Sequence, residues 1–246
     1  MSDYDRVYAR STPAGRADMA VDAGLRAFML GVYNKVALGL VLSGALAFLT
    51  SGPLRDLFFV VQGGRVGYTM LGTVVAFSPL VILLGSMFMM RNPTARGAGI
   101  LYWTIVTLIG ASLGVVLLRY TGESVASTFF VTAAAFGALS LFGYTTKKDL
   151  TGFGSFLIVG LFGLIIASLV SIFFPNPMLI FAINAIGVLI FAGLIAYDTQ
   201  RLKLTYYQLQ GNGEGMGVAT SFGALSLYLN FINLFQFLLA FMGNRE

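Results

Sequence analysis

Long apolar runs alternate with short polar breaks along this chain. Seven runs, at about 27–50, 68–90, 98–118, 125–145, 153–174, 178–199 and 218–242, are nearly free of charge. Each reaches the roughly 20 residues that an α-helix needs to cross a hydrocarbon core about 30 Å thick. The breaks "SGPLRD", "RNPTARG", "RYTGES", "TKKDLTG", "FPNP" and "QGNGEGMG" gather Pro, Gly, Asn and charged residues, which end helices and form turns. "PNP" is so short that the fifth and sixth helices must form an antiparallel hairpin. The pattern predicts an all-α, polytopic membrane protein with seven transmembrane helices. A re-entrant last segment is the alternative for 218–242.

Residues 1–26 are polar, with four arginines balanced by four aspartates. The apolar run that follows starts late and is long, unlike a cleaved secretory signal. Two parts are therefore expected: a flexible cytosolic tail over 1–26, with a short interfacial helix near its end, and a transmembrane domain over 27–246. With the N-terminus inside, the inner segments hold Arg6, Arg10, Arg16, Arg26, Arg91, Arg96, Lys147, Lys148, Arg201 and Lys203. The outer segments hold only Arg55, Arg65, Arg119 and Arg245. Ten cations against four orient the chain N-terminus in, because cytoplasmic loops carry the excess of Lys and Arg. Lys35 is read as snorkelling to the same interface.

Composition strengthens the membrane reading. Hydrophobic residues make up 57% of the 246 and charged ones 10%, against roughly 25% charged in a soluble domain. The net charge of +5 is spread over short loops, which fits membrane orientation and argues against nucleic-acid binding. Cysteine and histidine are absent. Disulfides, thiolate metal sites and the commonest general base are therefore excluded, and the chain is read as neither an enzyme nor a cofactor carrier. "GNGEGMG" lacks the lysine and hydroxyl of a phosphate loop.

One position resists the apolar pattern. Asp198, in "AYDTQRLK", is the single carboxylate inside any of the seven runs. Ionisable groups in membrane helices are costly and usually face protein or water. Asn184 lies fourteen residues earlier, within about 40° of the same helix face. Ser226, Asn230, Asn233 and Gln236 recur at helical spacing and form a polar stripe on the last run. Lipid cannot satisfy that stripe, so it is expected to face the bundle with Asp198 near Asn230. Two plainer readings stay open: Asp198 paired with Arg201 three residues on, and the stripe as interhelical glue. Gly110 and Gly114 form a GxxxG pair, read as close helix packing.

With these residues in view, the chain resembles the Bax inhibitor-1 family, in its bacterial branch. The carrying segments are "AYDTQRLK" at 196–203, "ALSLYLNFINLFQFLLAFMGNR" at 224–245 and the opening "FMLGVYNKVALGLVLSGALAFLTSG". The resemblance implies seven helices with the last one central. It also implies a pH-sensitive calcium leak in the inner membrane, closed in the better-understood bacterial member by two adjacent aspartates. Asp198 matches the first of these, whereas Asn230 stands where that member has the second. Two adjacent carboxylates titrate as a coupled pair; an acid beside an amide titrates singly and holds Ca²⁺ more weakly. The candidate gating and ion-path residues are Asp198, Asn230, Asn233, Asn184, Ser226 and Arg201. The expected partners are the lipid bilayer, Ca²⁺ or other cations, and, in an alternative reading as a non-transporting regulator, a membrane protease. Arg91 is the nearest candidate for an arginine that the family associates with the acid site.

Overall fold

The computed structural model describes residues 3–63, 65–90 and 92–244, with side chains from residue 23 onward except those of Gln62, Arg65 and Met89. The elements run α1 (Asp3–Ser51), α2 (Arg55–Phe58), β1 (Phe59–Gln62), β2 (Arg65–Tyr68), α3 (Met70–Met89), α4 (Ala95–Ser112), α5 (Gly114–Leu117), α6 (Gly122–Thr145), α7 (Thr151–Phe173), α8 (Pro177–Gln208) and α9 (Gly213–Met242). Seven helical segments are long and apolar enough to cross a membrane, and α9 is one of them. The fold is the expected all-α polytopic one. The tail's side chains, among them Arg6, Arg10 and Arg16, lie outside the described residues, as do Arg91 and Arg245 altogether.

The polar breaks supply helix starts. Thr69, Thr94 and Thr121 each accept a hydrogen bond from the amide three residues on, opening α3, α4 and α6. Asn176 does the same for α8, with Pro177 in the first turn, and Asn212 does so for α9. These side chains occupy amide groups that a helix leaves without partners at its N-terminus.

Two features depart from the hydrophobic pattern. Residues 59–68 form an antiparallel hairpin, with Phe59 opposite Tyr68 and Gln62 opposite Arg65. Its turn uses Gly63 at φ 58°, a left-handed conformation that suits glycine. Helix α8 continues past the expected end at 199 to Gln208. The apolar face repeats there at four-residue spacing: Leu202 packs where Gly223 of α9 leaves room, and the Tyr206 ring lies 5.7 Å from that of Phe28 on α1. Arg201 and Lys203 therefore ride on a packed helix and not in a loop.

Helix α9 packs against α1, α4, α6 and α8 and is the most deeply buried of the seven spans. Helices α3 and α7 lie further out, packing mainly on α4 and α8, and expose large side chains such as Phe88, Phe156 and Ile172 to lipid. Tyr102, Ile105 and Val106 of α4 meet Val32 of α1 and Leu227 and Tyr228 of α9 in the core. The GxxxG pair serves this packing. A Cβ on Gly110 would stand 2.6 Å from the Cα of Ser43, and one on Gly114 would strike Thr50, so only glycine lets α1 come so close.

Candidate functional site

Asp198 projects from α8 toward α9. Its Oδ2 accepts a hydrogen bond from Ser226 Oγ at 2.5 Å and from Asn230 Nδ2 at 2.7 Å. The two donors are four residues apart on one helix, so their side chains converge on a single point across the interface. The carboxyl group is sheltered, with the residue 8% exposed. It lies ten residues before the end of α8, roughly 15 Å along the helix axis.

A cleft of ≈ 130 Å³ opens beside it, lined by Asp198, Arg201, Thr205, Ala219, Phe222 and Ser226. Every lining residue on α8 follows Asp198, and those on α9 precede or include Ser226. The opening thus faces the α8–α9 turn. Arg201 lines this cleft but is exposed, and among the described residues it makes no hydrogen bond to the carboxylate. The hydrogen bonds to the acid come across the interface, from α9, and Arg201 acts on it only through its charge.

Other members of the predicted set fall elsewhere. Asn233 is half-buried and donates to the carbonyl of Leu229 in its own helix at 2.8 Å. Gln236 is exposed, so the stripe turns away from the bundle after Asn230. Asn184 is half-buried, and fourteen residues place it about 21 Å along α8 from Asp198, far beyond contact. A shared helix face brought it no closer, because axial separation also counts.

The structure adds polar partners that the sequence reading missed. Lys35 donates from its Nζ to Ser221 Oγ of α9 at 2.7 Å. It lies twelve residues into the helical segment that begins at Ala23. The hydroxyl of Tyr102 donates to the Lys35 carbonyl at 2.6 Å, and those of Ser43 and Tyr228 share a bond of 2.7 Å. A lysine inside an apolar run was the available signal. Gln200, from the same segment as Asp198, spans the α6–α7 turn, donating to the Lys148 carbonyl at 2.7 Å and accepting from the Leu150 amide at 2.8 Å.

Chemically, the site offers one carboxylate, an amide and a hydroxyl. Among the described residues no group of three or more His, Cys, Asp or Glu side chains converges. A hard cation entering the cleft would meet a single full negative charge beside the neutral oxygens of Ser226 and Asn230. Ca²⁺ favours six to eight oxygen ligands, so most would have to be water.

Residues 25–246 match the family model described as inhibitor of apoptosis-promoting Bax1. The chain belongs to the Bax inhibitor-1 family. It is 72% identical over 250 residues to an uncharacterized protein of Caulobacter vibrioides, with both chains wholly covered. Identity is 43% over 241 residues to a protein of Rickettsia prowazekii, covering 97% of this chain and 98% of that one. It is 40% over 236 residues to the inner membrane protein YbhL of Escherichia coli strain K12, covering 94% and 98%. In this Bax inhibitor-1 family protein the Asp198 site joins two of the segments that carried the resemblance, 196–203 and 224–245.

Proposed function

We propose that this Bax inhibitor-1 family protein is a calcium or cation leak in an inner membrane, shut by the contact of Asp198 with α9 and oriented with its N-terminus in the cytosol. The observation that carries the reading is the convergence of Ser226 and Asn230 on one sheltered carboxyl oxygen. Separating α9 from α8 would release a negative charge at the head of the cleft that opens toward the α8–α9 turn. The name of the Escherichia coli relative supports the location. Without histidine, cysteine or a second acid at the site, the group can attract a cation but has no partner for acid–base catalysis.

Asn230 sets the expected behaviour. An amide keeps the shape of an aspartate and donates to Asp198, but its charge does not change with pH. The flux should therefore respond to pH more gently, and favour Ca²⁺ less, than in a relative with two aspartates. The test is calcium entry into liposomes holding the native chain, Asn230→Asp or Asp198→Ala, from mildly acidic to alkaline pH. Asn230→Asp should steepen the profile and Asp198→Ala should flatten it. Equal, steep profiles in native and Asn230→Asp, or no effect of Asp198→Ala, would rule out the gate.

A second reading, a non-transporting regulator of a membrane protease, is favoured by Lys35. Its ammonium group lies against Ser221 within the bundle, where positive charge opposes cation passage. Deleting residues 2–20 discriminates: unchanged flux with lost protease association supports the regulator.

A further inference from the structure

A second cavity lies between α1 and α6. It has a volume of ≈ 610 Å³, with walls from α1 and α6 and Phe231 of α9 in its lining, within the roughly 300–1,000 Å³ of small-molecule sites. The two walls come from helical stripes: residues 26, 30, 33, 37 and 40 on α1 and 133, 137, 140 and 144 on α6. Both helices pack on α9, and neither packs extensively on the other, so the space between them opens sideways toward lipid.

The charged groups of this apolar groove gather at one end of it. Arg26 is exposed at one end. Lys203 supplies a second cation there, its Nζ donating to the Tyr144 carbonyl at 3.2 Å and lying 5.4 Å from the centre of the Tyr144 ring. Lys147 and Lys148 follow directly after α6 at the same end. The acid of that turn, Asp149, is already engaged by the Thr151 amide. Further in, the groove is walled by Met29, Leu30, Val36, Leu40, Phe136 and Leu141. Tyr33 is seven residues beyond Arg26, roughly 10 Å deeper. Cations at one end and apolar walls from that depth onward match a phospholipid's phosphate and acyl chain.

We propose that this groove is a site for one anionic phospholipid of the surrounding bilayer, its phosphate against Arg26 and an acyl chain between α1 and α6. The cations at one end select an anionic headgroup, and the apolar walls select a chain. The site is separate from Asp198, and the proposal does not depend on the leak.

The experiment uses the full chain, stripped of lipid in detergent, titrated with dioleoyl phosphatidylglycerol or dioleoyl phosphatidylcholine and followed by native mass spectrometry. Two variants leave the packing intact. Arg26 is exposed, and a Cβ added at Gly137 meets nothing within 4 Å, so Gly137→Leu places its side chain in the groove. The native chain should retain one phosphatidylglycerol at least fivefold more tightly than phosphatidylcholine. Arg26→Gln should weaken phosphatidylglycerol about fivefold, the factor for one cation near a lipid surface at about 1 kcal/mol. Arg26→Lys should restore most of it, and Gly137→Leu should abolish specific retention of either lipid. Equal retention of both lipids by the native chain, or native-like retention by both Arg26→Gln and Gly137→Leu, would mean only annular lipid and overturn the proposal.

Discussion

Removing the two α9 donors from Asp198 asks whether its carboxyl group is held as an anion. Ser226→Ala deletes the 2.5 Å bond and Asn230→Ala the 2.7 Å bond. A neutral interhelical hydrogen bond in a membrane protein contributes about 0.6 kcal/mol on average, up to about 1.7. A charged acceptor makes the bond roughly twice as strong, so each single variant should cost about 1–2 kcal/mol. The double variant leaves the carboxyl group, in a residue 8% exposed, with neither of its donors. Stranding a buried charge costs roughly 3–5 kcal/mol, so the double loss should exceed the sum of the single losses by about 1 kcal/mol. The assay is reversible unfolding in mixed micelles, titrated with denaturing detergent, for all four members of the cycle. The same cycle on an Asp198→Asn background should be additive within about 0.5 kcal/mol, because no charge is left to strand. Strict additivity with Asp198 present, or single costs below about 0.5 kcal/mol, would refute an anionic, α9-held Asp198.

Two other sites near this interface give independent tests. A Cβ on Gly143 would overlap the Ala196 carbonyl and stand 3.0 Å from its Cα, so Gly143→Ala should push α6 from α8. The cost should be about 1–3 kcal/mol in the same titration, and a neutral result would deny the close approach. Gln200→Leu removes both bonds to the α6–α7 turn. It should cost about 1–3 kcal/mol and speed hydrogen exchange at the Leu150 amide; unchanged exchange there would count against the tie.

Much of the bundle was legible because lipid imposes a rule that depends on composition alone. A run of about twenty apolar residues has few alternatives to a helix, and Thr94, Thr121, Asn176 and Asn212 mark where helices begin. The hairpin at 59–68 was overlooked because a short alternating stretch beside Gly-Gly is faint next to long helical runs. The apolar run stops at 199, before the end of α8, because the polar stretch from Asp198 to Lys203 closes it. Leu202 and Tyr206 keep that segment helical by packing on α9 and α1.

Within the site, periodicity gave direction but not distance. Asp198 and Asn230 stood out as polar groups in apolar surroundings, and the interface joined them. Asn184 shared a face but lay too far along the axis, while Asn233 and Gln236 rotated out of the contact as α9 turned past α8. Lys35 and Ser221 meet across 186 positions, a pairing with no local trace.

By itself the sequence determined the solvent, the number of spans and the one acid that lipid would not accept, because each follows from the transfer energy of residues taken singly or in short windows. Tertiary structure alone decided which helix answers that acid, which glycines must stay bare and where a groove is left open, because these depend on how rigid helices of different lengths cross and on surfaces brought together from distant parts of the chain.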